Sequence, residues 1–136
     1  MGRQIAAFLL VVGLNIAVAV FLGISVVAKN VFVFERADVL AYLCGLWIAL
    51  LGGWISRRYG FAVAVAGVHL GFGLLAAHFV AAFTEDGFFQ AVSANSLNFA
   101  ASMLTGVVGA SIGVLLSRLN GARGRRARPV DRGELS

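Results

Sequence analysis

Few polar side chains interrupt the long apolar runs of this 136-residue chain, and those few limit the chemistry open to it. The only two histidines are His69 and His78, and a histidine within a membrane helix is costly enough to require a role as ligand, proton carrier or interhelical clamp. They stand nine residues apart, half a turn out of phase at about 100° per residue, so they face opposite sides and cannot share a metal within one copy. Asn15 is the third intramembrane polar group considered. At about 1.5 Å rise per residue, His69 lies about 12 Å and Asn15 about 15 Å from the arginine-bearing ends of their helices. These matching depths lead to the expectation of a hydrogen bond between them, acting as a structural clamp. Cys44 is the only cysteine, which excludes an intrachain disulfide or a cysteine-rich metal site.

The missing residues carry information too. No Asp or Glu lies within the apolar runs, which argues against a proton- or sodium-coupling site. No Ser-His-Asp set, HExxH, Walker or GxGxxG pattern occurs. The expectation is a protein without enzymatic activity, cofactor or metal.

Small residues form the other pattern. Gly45, Ala49, Gly52 and Ser56 step by four, three and four, and so share one helical face. Gly106, Ala110, Gly113 and Ser117 repeat that stripe. Two GxxxG spacings, Gly67–Gly71 and Gly109–Gly113, add to it. In lipid there is little hydrophobic drive between helices, and small residues promote association by letting backbones approach. Packing inside one bundle and a dedicated interface with another chain are both open from spacing alone. Residues 45–60 also align with 106–121 at a constant offset, with Gly45/Gly106, Ala49/Ala110, Gly52/Gly113, Ser56/Ser117, Arg57/Arg118 and Gly60/Gly121 identical. Such a match is compatible with a tandem repeat of a two-helix unit.

Four apolar runs must hold these residues: about 5–28, 39–56, 61–83 and 97–116. Each is of the order of the roughly 20 helical residues needed to cross a bilayer core about 30 Å thick. Hydrophobic residues make up 60 % of the chain, charged residues only 12 %, and the mean hydropathy is +0.93. Soluble domains carry about 25 % charge, so a soluble fold is excluded in favour of an all-α polytopic membrane protein. Short links at 29–38, 57–60 and 84–96 favour a compact four-helix bundle over residues 1–120. Residues 121–136, basic and without apolar periodicity, read as a disordered tail. A secretory signal ending near Ala28 is disfavoured because the first apolar run exceeds the usual h-region of about 7–15 residues. Phe32, Phe34, Phe83, Phe88 and Phe89 place aromatic rings at the far boundary.

The net charge of +5 has a topological cause. With both termini in the cytoplasm of a cell bounded by a plasma (inner) membrane, Arg3, Arg57, Arg58, Arg118, Arg123, Arg125, Arg126, Arg128 and Arg132 all fall inside. Only Lys29 and Arg36 fall outside, as the positive-inside rule requires. The same arginines are candidates for contact with anionic lipid headgroups. The tail has no interleaved aromatics, so a stacking nucleic-acid site is disfavoured.

Residues 8–15, Phe-Leu-Leu-Val-Val-Gly-Leu-Asn, resemble the opening of GtrA-like proteins, and Ser56-Arg57-Arg58-Tyr59-Gly60-Phe61 is similar to the basic–aromatic end of that family's second helix. The chain departs from the family at Trp54, Ile55 and Ser56, where Asn and Phe are expected before the arginine pair. The resemblance implies four membrane helices and a part in moving polyprenyl-phosphate-linked sugars. The residues themselves lead first to a small non-enzymatic inner-membrane protein. Its partners are the bilayer and other membrane chains or itself, and it works by helix–helix association as an accessory or assembly subunit. Transport, GtrA-like or through an oligomeric channel, is the first alternative. A phage-type holin is the second, which fits the size and basic tail and entails toxicity on expression.

Overall fold

The computed structural model describes residues 2–21, 36–83 and 87–126. They form five helices in the order α1 (Gly2–Phe21), α2 (Arg36–Ser56), α3 (Gly60–Phe83), α4 (Phe88–Ala94) and α5 (Ser96–Arg126), with no strand among the described residues. Three of them contain stretches long and apolar enough to cross a membrane: Val39–Ser56, Gly60–His78 and Ser96–Ala122. The apolar part of α1 is shorter, Gly2–Val18. The remainder of the run expected to 28, and the aromatic segment with Phe32 and Phe34, lie outside the described residues.

Side-chain size is sorted in the sense opposite to a soluble protein. The interior holds Ala7, Val11, Ala49, Ala62, Val65 and Ala110, joined by Ile48 and Phe61. Bulky residues face outward: Val63 is 75 % exposed, Leu104 64 %, Leu9 63 % and Trp47 61 %. Water would penalise that surface by roughly 25 cal/mol per Å², whereas hydrocarbon does not. Small inward groups let the helices close up, which is what association in lipid requires. The arrangement is consistent with a membrane protein.

The most extensive contact is between α2 and α5, with α3 against α5 and α1 against α2 next. α2 and α5 run parallel, because Leu46 meets Gly109 and Leu50 meets Gly113. One end brings together the α2–α3 turn, with Arg57 and Arg58, and Arg118 of α5, which lies over Tyr59 of that turn; it is called the basic end below.

Two elements differ from the sequence reading. Part of the expected 84–96 link is helix α4, preceded by the extended Gly87 and closed by Asn95, whose backbone N–H and Nδ2 both donate to Ala91 O. Ala91 is buried against Ala77 with Val92 and Phe99 packed alongside, so a small apolar contact folds this segment onto α3 and α5. The second difference is the length of α5. It continues through Arg126, so residues 121–126 are helical and not a disordered tail. Gly121 and Gly124 weaken a helix without breaking it, and arginine is a good helix former. Its 31 residues span about 46 Å at helical rise, so the last turns extend beyond any bilayer core. Arg128 lies outside the described residues.

Candidate helix-packing and polar site

The α2 stripe, Gly45, Ala49, Gly52 and Ser56, is buried along its length, as is the α5 stripe, Gly106, Ala110, Gly113 and Ser117, with Gly109. The structure brings parts of both into one seam. A Cβ on Gly113 would strike the Leu50 carbonyl and come within 2.8 Å of Trp54 N. On Gly109 it would strike the Leu46 carbonyl, and on Gly53 the Ala110 carbonyl. These neighbours are backbone atoms with nowhere to go. The α5 stripe is therefore filled by a helix of the same chain. The α2 stripe serves two neighbours, since Gly52 meets Val11 of α1 and Phe61 of α3, where a Cβ would come within 2.5 and 2.9 Å.

The Gly67–Gly71 spacing on α3 behaves differently. Both glycines are exposed, and a Cβ on either would meet nothing within 4 Å. They take no part in packing among the described residues, and share their outward face with Val63, Leu74 and the exposed His78.

His69 is set between three helices. Its Nδ1 lies 2.8 Å from Ser102 Oγ on α5. Gly45 of α2 and Gly106 of α5 flank the ring: a Cβ on Gly45 would sit 3.3 Å from Cε1, and one on Gly106 2.8 Å from Nε2. The two glycines matched in the repeat alignment thus form the slot that admits the imidazole. Nε2 is buried and makes no hydrogen bond among the described residues. The expected His69–Asn15 bond is absent. Asn15 Nδ2 instead donates to Val11 O, 2.8 Å away on its own helix. Equal depth does not fix rotation, and His69 is turned toward α2 and α5.

One turn above, Tyr42 OH donates to Asn98 Oδ1 at 3.2 Å, a second interhelical polar tie, here from α2 to α5. Tyr42, Asn98 and Ser102 were not singled out from the sequence. The available signal was position: Asn98 and Ser102 precede Gly106 at four-residue steps and extend the α5 stripe upward. At the lower end Ser117 Oγ donates to Val114 O at 2.8 Å, while Ser56 Oγ is buried without a partner among the described residues. Cys44 is partly buried and free, and no group of three or more His, Cys, Asp or Glu side chains converges among the described residues.

At the basic end Arg57, Arg58 and Arg118 are exposed, with the Arg118 guanidinium carbon 4.5 Å above the Tyr59 ring centre. Arg123, Arg125 and Arg126 lie on the last turns of α5. Comparison with known proteins returns no match to a family model, to a curated protein or to a solved structure.

Proposed function

We propose that the protein is a small, non-enzymatic, inner-membrane protein whose four helices α1, α2, α3 and α5 cross the bilayer with both termini in the cytoplasm, and that it acts by helix association as an accessory or assembly subunit. The observation that carries this reading is the outward face of α3. Gly67 and Gly71 leave a bare strip on a surface otherwise lined by Val63, Leu70 and Leu74. Lipid gains nothing from a glycine, whereas another helix gains close backbone approach. The intramembrane hydrogen bonds support the same view. Tyr42–Asn98 and His69–Ser102 tie helix to helix, and Asn15 is satisfied within α1. These groups serve architecture.

The α2–α5 register favours one alternative. The contacts Leu46–Gly109, Leu50–Gly113 and Gly53–Ala110 bracket the sixty-one-residue offset of the sequence match. That is what parallel repeats related by an axis along the membrane normal produce, and it supports duplication of a two-helix unit. A channel built on such a unit has to form between copies, because the α2–α5 seam is closed by backbone contact.

Native mass spectrometry of complexes extracted in mild detergent tests the proposal. Wild type is expected to emerge with a companion chain or as an oligomer, and Gly67→Leu/Gly71→Leu to insert normally but emerge alone. A wild type that is itself a lone monomer refutes the subunit reading and leaves a self-contained transporter.

A further inference from the structure

We propose that the α2–α3 turn and the adjoining face of α5 form a site for a phosphate group, supplied by an anionic phospholipid of the surrounding leaflet. Three exposed arginines stand at that end, Arg57 and Arg58 in the turn itself and Arg118 over its Tyr59, and none forms an ion pair among the described residues. The one carboxylate within the described residues, Asp38, is at the opposite end of α2, about 28 Å away at helical rise. Asp131 and Glu134 lie outside the described residues.

One of these cations is held by an aromatic ring. Arg118 lies with its guanidinium over the Tyr59 ring at 4.5 Å. Stacking on an aromatic face restrains the guanidinium plane and leaves its N–H edge free for a two-point contact with phosphate oxygens. Arg57 occupies the left-handed region, φ 59°, with its N–H donating to Gly53 O at 2.9 Å. α3 begins immediately afterwards, with Phe61 N donating to Arg58 O and Ala62 N to Tyr59 O, and no acidic residue occupies its first turn. The positive end of the α3 dipole therefore adds to the arginine charges. The carboxyl end of α2 offsets Arg57, and the remaining excess positive charge is relieved by a bound anion.

The surroundings assign the anion to a lipid. The turn lies where the apolar stretches of α2 and α3 meet the polar boundary. Trp54 and Leu115, on two of the helices that reach this end, expose 41 and 48 % of their surface, apolar area suited to acyl chains beneath a headgroup. Tyr59 and Trp54 are the residue types that settle at headgroup depth. This site is distinct from general attraction of the basic tail, because it depends on the Tyr59–Arg118 geometry and not on charge alone.

The test uses the full chain in mild detergent, with native mass spectrometry reading retention of added phosphatidylglycerol or phosphatidylcholine, and a parallel titration with inorganic phosphate. Wild type is expected to retain phosphatidylglycerol in preference to phosphatidylcholine. Arg118→Lys, which preserves charge, and Tyr59→Leu should each lower that retention about tenfold, the order expected for loss of one charged, oriented hydrogen-bond pair. Arg132→Gln, which removes one tail charge, should leave it unchanged. Far-UV circular dichroism confirms that each variant keeps its helices. Equal retention of both lipids, or wild-type retention by Arg118→Lys and Tyr59→Leu alike, overturns the site. Binding of inorganic phosphate without retention of phosphatidylglycerol overturns the assignment to a lipid.

Discussion

Replacing Gly113 by alanine adds one methyl group at the tightest point of the α2–α5 seam. The added carbon would lie 2.8 Å from Trp54 N and 2.9 Å from the Leu50 carbonyl carbon, and closer still to the Leu50 carbonyl oxygen. The Leu50 carbonyl oxygen is the nearest atom and sets the displacement, so the helices must part by roughly 1 Å or more, and a gap of about 0.5–1 Å already forfeits a quarter to a half of each dispersion contact it opens. Overpacking of this kind costs about 1–3 kcal/mol. Alanine returns about 1 kcal/mol through its better helix propensity, which obscures the packing term in a single variant. Gly67→Ala supplies the reference, since a Cβ there meets nothing within 4 Å in this chain and, for the chain dispersed singly in micelles, only the propensity gain remains. The difference between the two variants is therefore the packing cost. Unfolding in mixed micelles titrated with sodium dodecyl sulfate, followed by the fluorescence of Trp47 and Trp54, measures both. Gly67→Ala is expected to be neutral or stabilising, and Gly113→Ala to fall below it by about 1–3 kcal/mol. Equal stability of the two refutes the α2–α5 contact as described.

Three further outcomes follow from the same geometry. A double-mutant cycle between His69→Leu and Ser102→Ala should return a coupling of about 0.6 kcal/mol, with about 1.7 as its upper range, while the same cycle between His69→Leu and Asn15→Leu returns none; the reverse pattern would restore the Asn15 partner. Arg57→Gly should stabilise the protein by about 1 kcal/mol in thermal unfolding, since it relieves the left-handed strain, and should at the same time lower phosphatidylglycerol retention. A reporter fused after Ser136 should be cytoplasmic and one inserted at Gly87 external; finding the carboxyl end outside would reverse the membrane orientation.

How much of this was legible in the sequence differs from residue to residue. Helix positions follow from hydropathy and length, and the expected runs 39–56 and 61–83 lie within a few residues of α2 and α3. α4 was hidden because seven residues are too few to show a period. The last turns of α5 were hidden because arginine and glycine resemble a solvated tail, although arginine by itself favours helix. Spacing shows that small residues share a face, but not which way the face points. Gly109–Gly113 and Gly67–Gly71 have the same spacing, yet the first pair is pressed against backbone and the second meets open space. The same ambiguity displaced the partner of His69: rise along the axis gives depth, while the choice between Asn15 and Ser102 depends on rotation.

The rotation of α3 has a physical reason visible in its neighbours. An imidazole is too bulky for a seam lined with alanine, and His69 can enter only where both flanking helices lack a Cβ. Gly45 and Gly106 meet that condition, standing at equivalent positions of the two aligned segments, each close against the ring. Once the ring is seated there, Nδ1 reaches Ser102, and the half-turn offset carries His78 to the outward face beside Gly67 and Gly71. One helix thus has a side committed to the interior and a side left bare by the same sequence. On the proposed reading the partly buried histidine serves the stability of the chain, and the glycine strip of α3 is where a partner helix would approach. A substitution at His69 should therefore be felt first as lost stability, and one at Gly67 or Gly71 first as lost association, which makes the two roles separable by experiment.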